Sequence, residues 1–332
     1  MKEIAKKIIV ILYSYAKREY FQTEEQFLTE EEVYGRAKIV KKRLDKMNYK
    51  TVLLPGTSSL TNKLKQLNPY IVFNLVDSIY GNEELSSVIP SLLELLNIAY
   101  TGSNNLGLSI NADKYITKTI LKQSGISVPN FQLFYNANEK MDSNLKFPLI
   151  VKLNKFHGSL GISQESIVKN KKELKKRIEY LIKKYNQSIL VEEYIKGKEI
   201  TVLIIDDEKE KIILGEERVF LKKEKYNLFS FETAWSDEEL YDCKKIKLNK
   251  KIKNDIIKSF NVLQMNSYAR FEIIIDKKGK YFFIDPNANP AFGPLEAGEA
   301  FGNLLHIYNI SFESVVNKII INSLNRYKNT LK

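Results

Sequence analysis

Arg270, Glu272, Asp285 and Asn287 fall within eighteen residues in the segment Ala269-Arg-Phe-Glu-Ile-Ile-Ile-Asp-Lys-Lys-Gly-Lys-Tyr-Phe-Phe-Ile-Asp-Pro-Asn. Apolar runs flank the turn signal Asp276-Lys-Lys-Gly, so the segment reads as a β-hairpin. Such pairing sets Glu272 near the end of one strand and Asp285 near the facing end of the other. Asn287 follows two residues later, on the side of Asp285 if the chain stays extended. These oxygens suit Mg²⁺, which keeps water and phosphate oxygens among its ligands. Arg270 alternates with Glu272 on one face and adds a cation beside the acids. An ordinary surface hairpin accounts poorly for an acid that ends an apolar strand and leads into Pro286-Asn-Ala-Asn-Pro.

Two further segments carry weaker signals. In Ile150-Val-Lys-Leu-Asn-Lys-Phe-His-Gly-Ser-Leu-Gly a buried strand delivers Lys152, and a loop with His157, Gly158, Ser159 and Gly161 follows. Glycines let backbone N–H groups turn toward a phosphate, although many hairpin loops look alike. No Gly-Lys-Ser/Thr follows, so this is not a P-loop. A loop histidine such as His157 either touches phosphate or is incidental. In Ile189-Leu-Val-Glu-Glu-Tyr-Ile-Lys-Gly-Lys-Glu a strand ends in two acids, bends at Gly197 and re-enters a strand past Glu199. That crossing could present backbone groups to an adenine edge and Glu199 to ribose hydroxyls. The plainer alternative is a pair of solvated acids.

The elements that must position these residues follow from periodicity. Strands are expected at Lys7–Leu12, Tyr49–Pro55, Pro69–Leu75 and Ile98–Tyr100. Helices are expected at Glu31–Lys46, where Val33, Ala37, Val40 and Leu44 keep helical spacing, and at Ser87–Leu96. This alternation argues for a parallel α/β sheet through about residue 105. A small α+β unit follows, with helices at Asp113–Ser124 and Lys171–Tyr185 and strands at Phe131–Phe134, Leu149–Lys152 and Ser188–Tyr194. Beyond Glu199 the pattern is strand-rich, at Ile200–Ile205, Lys211–Leu214, Ala269–Ile275 and Tyr281–Asp285. Two helices are then expected, before and after the last glycine-containing loop.

Composition bounds the function. The 332 residues suggest two or three units, and 44% apolar with 28% charged content is that of a globular protein. The net charge of +12 is spread along the chain, which argues for solvated lysine faces and no nucleic-acid partner. Cys243 is the one cysteine and His157 and His306 stand far apart, so neither an internal disulfide nor a Cys/His metal cluster is expected. The apolar run Ile8–Leu12 is too short for a signal-peptide core or a membrane span, so a cytoplasmic location without membrane association is expected.

In this order and spacing the motifs resemble the ATP-grasp superfamily, specifically the D-alanine–D-alanine ligase family, over nearly the whole chain. Tyr100-Thr-Gly-Ser and Leu108-Ser-Ile-Asn-Ala-Asp-Lys look like that family's junction between its first and central domains. The resemblance implies three domains, 1–107, 108–196 and 197–332, an N-terminal parallel α/β domain and two α+β domains clasping ATP. It implies that Lys114 and Lys152 hold ATP phosphates beneath the loop of His157, Gly158 and Ser159. Glu192 and the backbone of Glu193, Tyr194 and Ile195 would meet adenine, and Glu199 the ribose. Glu272, Asp285 and Asn287 would hold two Mg²⁺ ions. Arg270 and the Ala291 N–H would stabilise an oxyanion, and Glu32 would receive the first substrate's amine. The implied activity is an ATP-dependent carboxylate–amine ligase acting through an acyl-phosphate on amino acids or small acids, and a homodimer is suggested. D-Alanyl-D-alanine ligase proper and a non-catalytic ATP-binding protein are the alternatives.

The chain also departs from the family pattern. Gly158 stands where the loop usually carries a serine. The lid around Leu221–Trp235 offers Ala234 and Trp235 in place of a Lys-Tyr pair, Ala291-Phe replaces Gly-Met, and Asp285 replaces glutamate. The segment Tyr15–Thr29 has no family counterpart.

Overall fold

The computed structural model describes residues 7–207, 210–221, 225–226, 228–235 and 240–330. The first sheet is parallel, in the order β2 (Lys50–Pro55), β1 (Ile8–Tyr13), β3 (Ile71–Leu75). Ile9, Val10, Ile11 and Leu12 of β1 are all buried, because helices cover both faces. One face packs on α1 (Glu24–Lys46) through Ala37, Val40 and Leu44. The other packs on α2 (Leu60–Leu67) and α3 (Val88–Leu95) through Leu64, Ile89 and Leu93. The strand expected at Ile98–Tyr100 shrinks to a single parallel bridge between Tyr100 and Val72.

The start of α1 differs from the expectation. The helix begins at Glu24, seven residues before the predicted Glu31. Thr23 and Gln26 form a reciprocal cap, in which Thr23 Oγ1 accepts from Gln26 N and Gln26 Oε1 accepts from Thr23 N. Part of the segment Tyr15–Thr29 is therefore the opening turns of α1.

The helices α4 (Asn105–Asn111) and α5 (Lys114–Gln123) lead into a second, antiparallel sheet. Its order is β4 (Phe131–Phe134), β7 (Ile189–Glu193), β5 (Leu149–Leu153), β6 (Ile167–Val168). The amphipathic α6 (Lys171–Tyr185) covers one face with Leu174, Ile178 and Leu181.

The third sheet is also antiparallel, in the order β10 (Tyr241–Lys245), β9 (Ile212–Phe220), β8 (Gly197–Ile205), β11 (Tyr268–Asp276), β12 (Tyr281–Asn287). The short α7 (Phe231–Trp235) lies between β9 and β10, and α8 (Lys250–Val262) covers the apolar face. Neither β10 nor α8 was expected, although Ile252, Ile256 and Phe260 keep a four-residue spacing that signals a helix. Strand β9 extends six residues past the expected end at Leu214, to Phe220. Gly197 opens β8 beneath a close crossing, where a Cβ would come within 2.1 Å of the Ile275 carbonyl oxygen. Helices α9 (Ala300–Ile307) and α10 (Phe312–Thr330) both follow the last glycine-containing loop, so the helix expected ahead of it is absent there.

The sheets do not own separate cores. The boundary expected at 107/108 falls inside α4, and Leu108 and Leu121 pack against α8 and the third sheet. Tyr268, Phe292, Phe301 and Phe312 join the core beneath β1 and β3, so the C-terminal helices lock the first sheet to the third. Phe292 is the hub, with ring centroids 4.5 Å from Phe301, 5.1 Å from Tyr268, 5.3 Å from Phe312 and 5.7 Å from Phe73. Phe292→Ala is expected to cost about 3–5 kcal/mol, measured as a lower urea midpoint at constant slope. A loss below about 1 kcal/mol would contradict this role for Phe292.

Candidate active site

The three sheets meet around one cavity of about 550 Å³. Its floor is the polar face of the third sheet. Because side chains alternate along a strand, Glu199, Thr201, Arg218, Arg270 and Glu272 share that face, while Ile200, Val202, Phe271 and Ile273 enter the core beneath. The hairpin register is as expected, with Glu272 opposite Asp285 and Arg270 opposite Asn287. A bulge follows between Glu272 and Ile273. Glu272 lies mid-strand and not at an end, because β11 starts as early as Tyr268.

Helix α5 aims cations at this floor. Asp113 caps it by accepting from Ile116 N, at 2.9 Å, and Lys114 is its first residue. Lys114 Nζ lies 3.0 Å from Asp285 Oδ1. Burial alone would raise the Asp285 pKa, but Lys114 together with its neighbours, Lys152 among them, outweighs it and holds the carboxyl well below the usual range. One turn later, Lys118 Nζ lies 3.1 Å from Glu192 Oε1 and donates to the Ile284 carbonyl at 2.8 Å. Lys152 Nζ takes the other Glu192 oxygen at 3.0 Å. Burial pulls the Lys118 pKa down to about 8 against the pull of Glu192. Lys118 was missed in the sequence. Its four-residue offset from Lys114 on α5 was the signal available.

The glycine loop closes over this end. Gly158, Ser159 and Gly161 have φ of 67°, 57° and 69°, the left-handed region that glycine tolerates best. His157 lines the cavity, with its backbone N–H on Glu83 Oε1 at 3.2 Å and Nε2 3.5 Å from Glu83 Oε2. Burial, reinforced by Lys114, pushes the His157 pKa down to about 3, so the ring is neutral near pH 7. Glu193, Tyr194 and Ile195 line the wall beside Lys152. The Glu193 carboxylate is tied away by Asn130 Nδ2 at 3.1 Å and Lys146 N at 3.0 Å. Glu199 receives Arg218 Nη1 at 3.2 Å, and burial raises its pKa to about 7.

The opposite end of the cavity is acidic. Arg36 bridges Glu299 at 2.9 Å and Asp77 at 3.0 Å, and Asn289 Nδ2 holds the other Asp77 oxygen at 2.8 Å. Glu32 reaches this wall, and burial followed by the charge of Glu299 raises its pKa. Glu30, missed in the sequence, lies deeper and accepts from Ser78 Oγ at 2.8 Å. Ala291 lines the cavity beyond Asn289. Of the expected lid, Leu228 and Phe229 line the cavity. Residues 222–224 and 227 and the side chains of Ala234 and Trp235 lie outside the described residues.

Among the described residues no group of three or more His, Cys, Asp or Glu forms a metal cluster. The oxygen set on the floor is two carboxylates, Glu272 and Asp285, with the amide of Asn287. Such a set fits Mg²⁺, whose remaining positions go to water and phosphate oxygens.

Comparison with known proteins bears on the family and the fold. The family model described as D-ala D-ala ligase C-terminus matches residues 120–321. An uncharacterized protein, y4sG, of Sinorhizobium fredii is 28% identical over 86% of both chains. The D-alanine–D-alanine ligase of Aquifex aeolicus is 29% identical, covering 78% of this chain and 85% of its own. The crystal structure of the D-alanine–D-alanine ligase from Bacillus anthracis complexed with ATP shares the fold, with a TM-score of 0.70 over 98% of this chain and 99% of that one, at 22% identity.

Glu30 supplies a pH-dependent test. Burial, then the charge of Asp77, raises its pKa from 4.5 to about 8, while Ser78, Ser14 and Arg36 pull it back. A raised carboxyl pKa means that the folded state binds the proton more tightly than the unfolded chain. Its contribution is full below pH 4.5 and is lost as pH rises through about 8. Glu30→Gln should therefore melt like the wild type at pH 4.5 and several degrees higher at pH 8.5. Equal melting temperatures at both pH values would rule out the buried, protonated Glu30.

Proposed function

The chain belongs to the D-alanine–D-alanine ligase family, a family of ATP-dependent ligases that form carbon–nitrogen bonds, and we propose that it joins an amino acid or small carboxylate to an amine through an acyl-phosphate. One observation carries this reading: Lys114, Lys152 and Arg270 converge with Glu272, Asp285 and Asn287 on a single cavity.

The chemistry follows from charge. A carboxylate is a poor electrophile. Transfer of the γ-phosphoryl group from ATP to a carboxylate oxygen forms an acyl-phosphate and releases ADP. An amine then attacks the carbonyl carbon, and phosphate leaves with the C–O bond electrons. Lys114 and Lys152 neutralise phosphate oxygens during transfer. Arg270 and the Ala291 N–H hold the oxyanion of the tetrahedral intermediate. Mg²⁺, held by Glu272, Asp285 and Asn287, would supply further charge neutralisation on phosphate oxygens. No protein nucleophile is required.

Adenine lies against the backbone of Glu193, Tyr194 and Ile195 with Glu192 fixed behind it, and Glu199 takes the ribose hydroxyls. The neutral His157 serves as a hydrogen-bonding group beside Gly158 and Ser159, not as a phosphate cation. Glu32, with Glu30 beneath it, receives the amine of the first substrate. Arg36 and its acidic partners surround that position, and Gly158 leaves no side chain over it. These features favour substrates other than a pair of D-alanines.

A panel of amino-acid and small-acid pairs, D-alanine included, should contain a pair that releases ADP and phosphate in equal amounts. ATP binding without release for any pair would leave a non-catalytic ATP-binding protein instead. Arg270→Met should then lower kcat by about 10²–10³-fold with little change in ATP affinity. An unchanged kcat would remove Arg270 from the oxyanion role.

A further inference from the structure

On the cavity floor two arginines flank Glu272, and only Arg270 has been given a role. Arg218 lies on β9, directly opposite Glu199 of β8. Its side chain is 8% exposed and lines the same cavity. One corner of the guanidinium is satisfied, with Nη1 3.2 Å from Glu199 Oε2. The other edge is not. Nη2 reaches Thr201 Oγ1 only at 3.5 Å, and among the described residues the buried Nε has no hydrogen-bond partner. The plane is fixed by aromatic rings. The guanidinium carbon lies 3.7 Å from the centroid of Phe229 and 5.1 Å from that of Tyr241, and the two rings meet edge to face at 5.5 Å.

We propose that Arg218 is a phosphate-binding residue of this site, offering its Nε–Nη2 edge to oxygens of the ATP polyphosphate. The inference rests on the ATP-ligase reading above. A buried N–H left unpaired is costly, so an arginine held flat with its fork open is poorly explained as packing. Holding Glu199 requires only one N–H, which a lysine could provide. The surplus is a planar pair of donors, the geometry that matches two oxygens of a phosphate. Position selects the polyphosphate over the substrate carboxylate. Arg218 pairs with Glu199, at the ribose, and Glu272, at the metal, pairs with Thr201 two residues along β8. The phosphate chain of a nucleotide runs from its ribose to its metal, and so passes this arginine. Phe229 belongs to the segment expected to close over the site, so the clamp on Arg218 also joins that segment to the nucleotide.

Calorimetric titration of ATP and of adenosine, with Mg²⁺ present, tests this on the full chain. Arg218→Met should weaken ATP by about 10–100-fold and leave adenosine within about twofold, and Arg218→Lys should recover part of the loss. Phe229→Ala, which keeps the charge and removes the clamp, should show a smaller loss with the same ATP selectivity, and it decides the matter if the arginine variants do not fold. Equal losses for ATP and adenosine would overturn the proposal in favour of a role in positioning Glu199. Unchanged ATP affinity would overturn it outright. Failure of the wild-type protein to bind ATP would remove the ligase reading and this inference together.

Discussion

The Glu192 carboxylate sits between Lys118 and Lys152 with all three side chains almost fully buried, and the architecture of the site depends on that arrangement. Lys118 comes from α5, Lys152 from β5 and Glu192 from β7, and Lys118 also donates to Ile284 of β12. One cluster thus fastens the connecting helix, the second sheet and the third sheet to each other. Removing one partner of a buried pair costs about 3–5 kcal/mol, whereas an exposed pair is worth about 0–1 kcal/mol. The surface pairs, such as Lys17 with Glu19, decide nothing by comparison. The cluster also carries one more lysine than it has acids, a positive surplus in a low-dielectric wall that favours a polyanion alongside.

Around that anchor the third sheet separates its two duties by face. Alternate residues of β8 and β11 build an apolar underside on α8, which gives rigidity, and a charged upper side, which gives chemistry. The bulge after Glu272 occurs where both duties meet. Rigidity comes cheaply here because donors and acceptors are carried by strands, not loops. The glycine loop is the exception, and its tie to Glu83 couples it to the turn that leads into α3.

The cavity is electrically divided. Lysines gather at the end assigned to phosphate, while Glu30, Glu32, Asp77 and Glu299 gather at the end assigned to the amine, with Arg36 between two of them. Burial, with a neighbouring acid in each case, raises the pKa values of Glu30 and Asp77 despite the opposing pull of Arg36. That condition suits the cationic amine proposed for this end.

The hairpin was legible from sequence alone, since a turn signal between apolar runs dictates a register and so brings Glu272 to Asp285. The parallel first sheet, Lys152 on its strand and the helix near Asp113 that carries Lys114 were legible for the same local reasons. Whatever depends on distant chain segments was not. Nothing near Glu30 marks it as the deeper acid, because its burial comes from Ser78 and Asp77, far along the chain. Lys118 looks like any helix lysine until Glu192, more than seventy residues later, is folded against it. The long extension of β9 that carries Arg218 is likewise set by its pairing with β8 and β10. Local sequence determined which groups could do chemistry and the short-range geometry between them. Tertiary structure decided which were buried, paired or left open, because charge and burial depend on all that packs nearby, whatever its place in the chain.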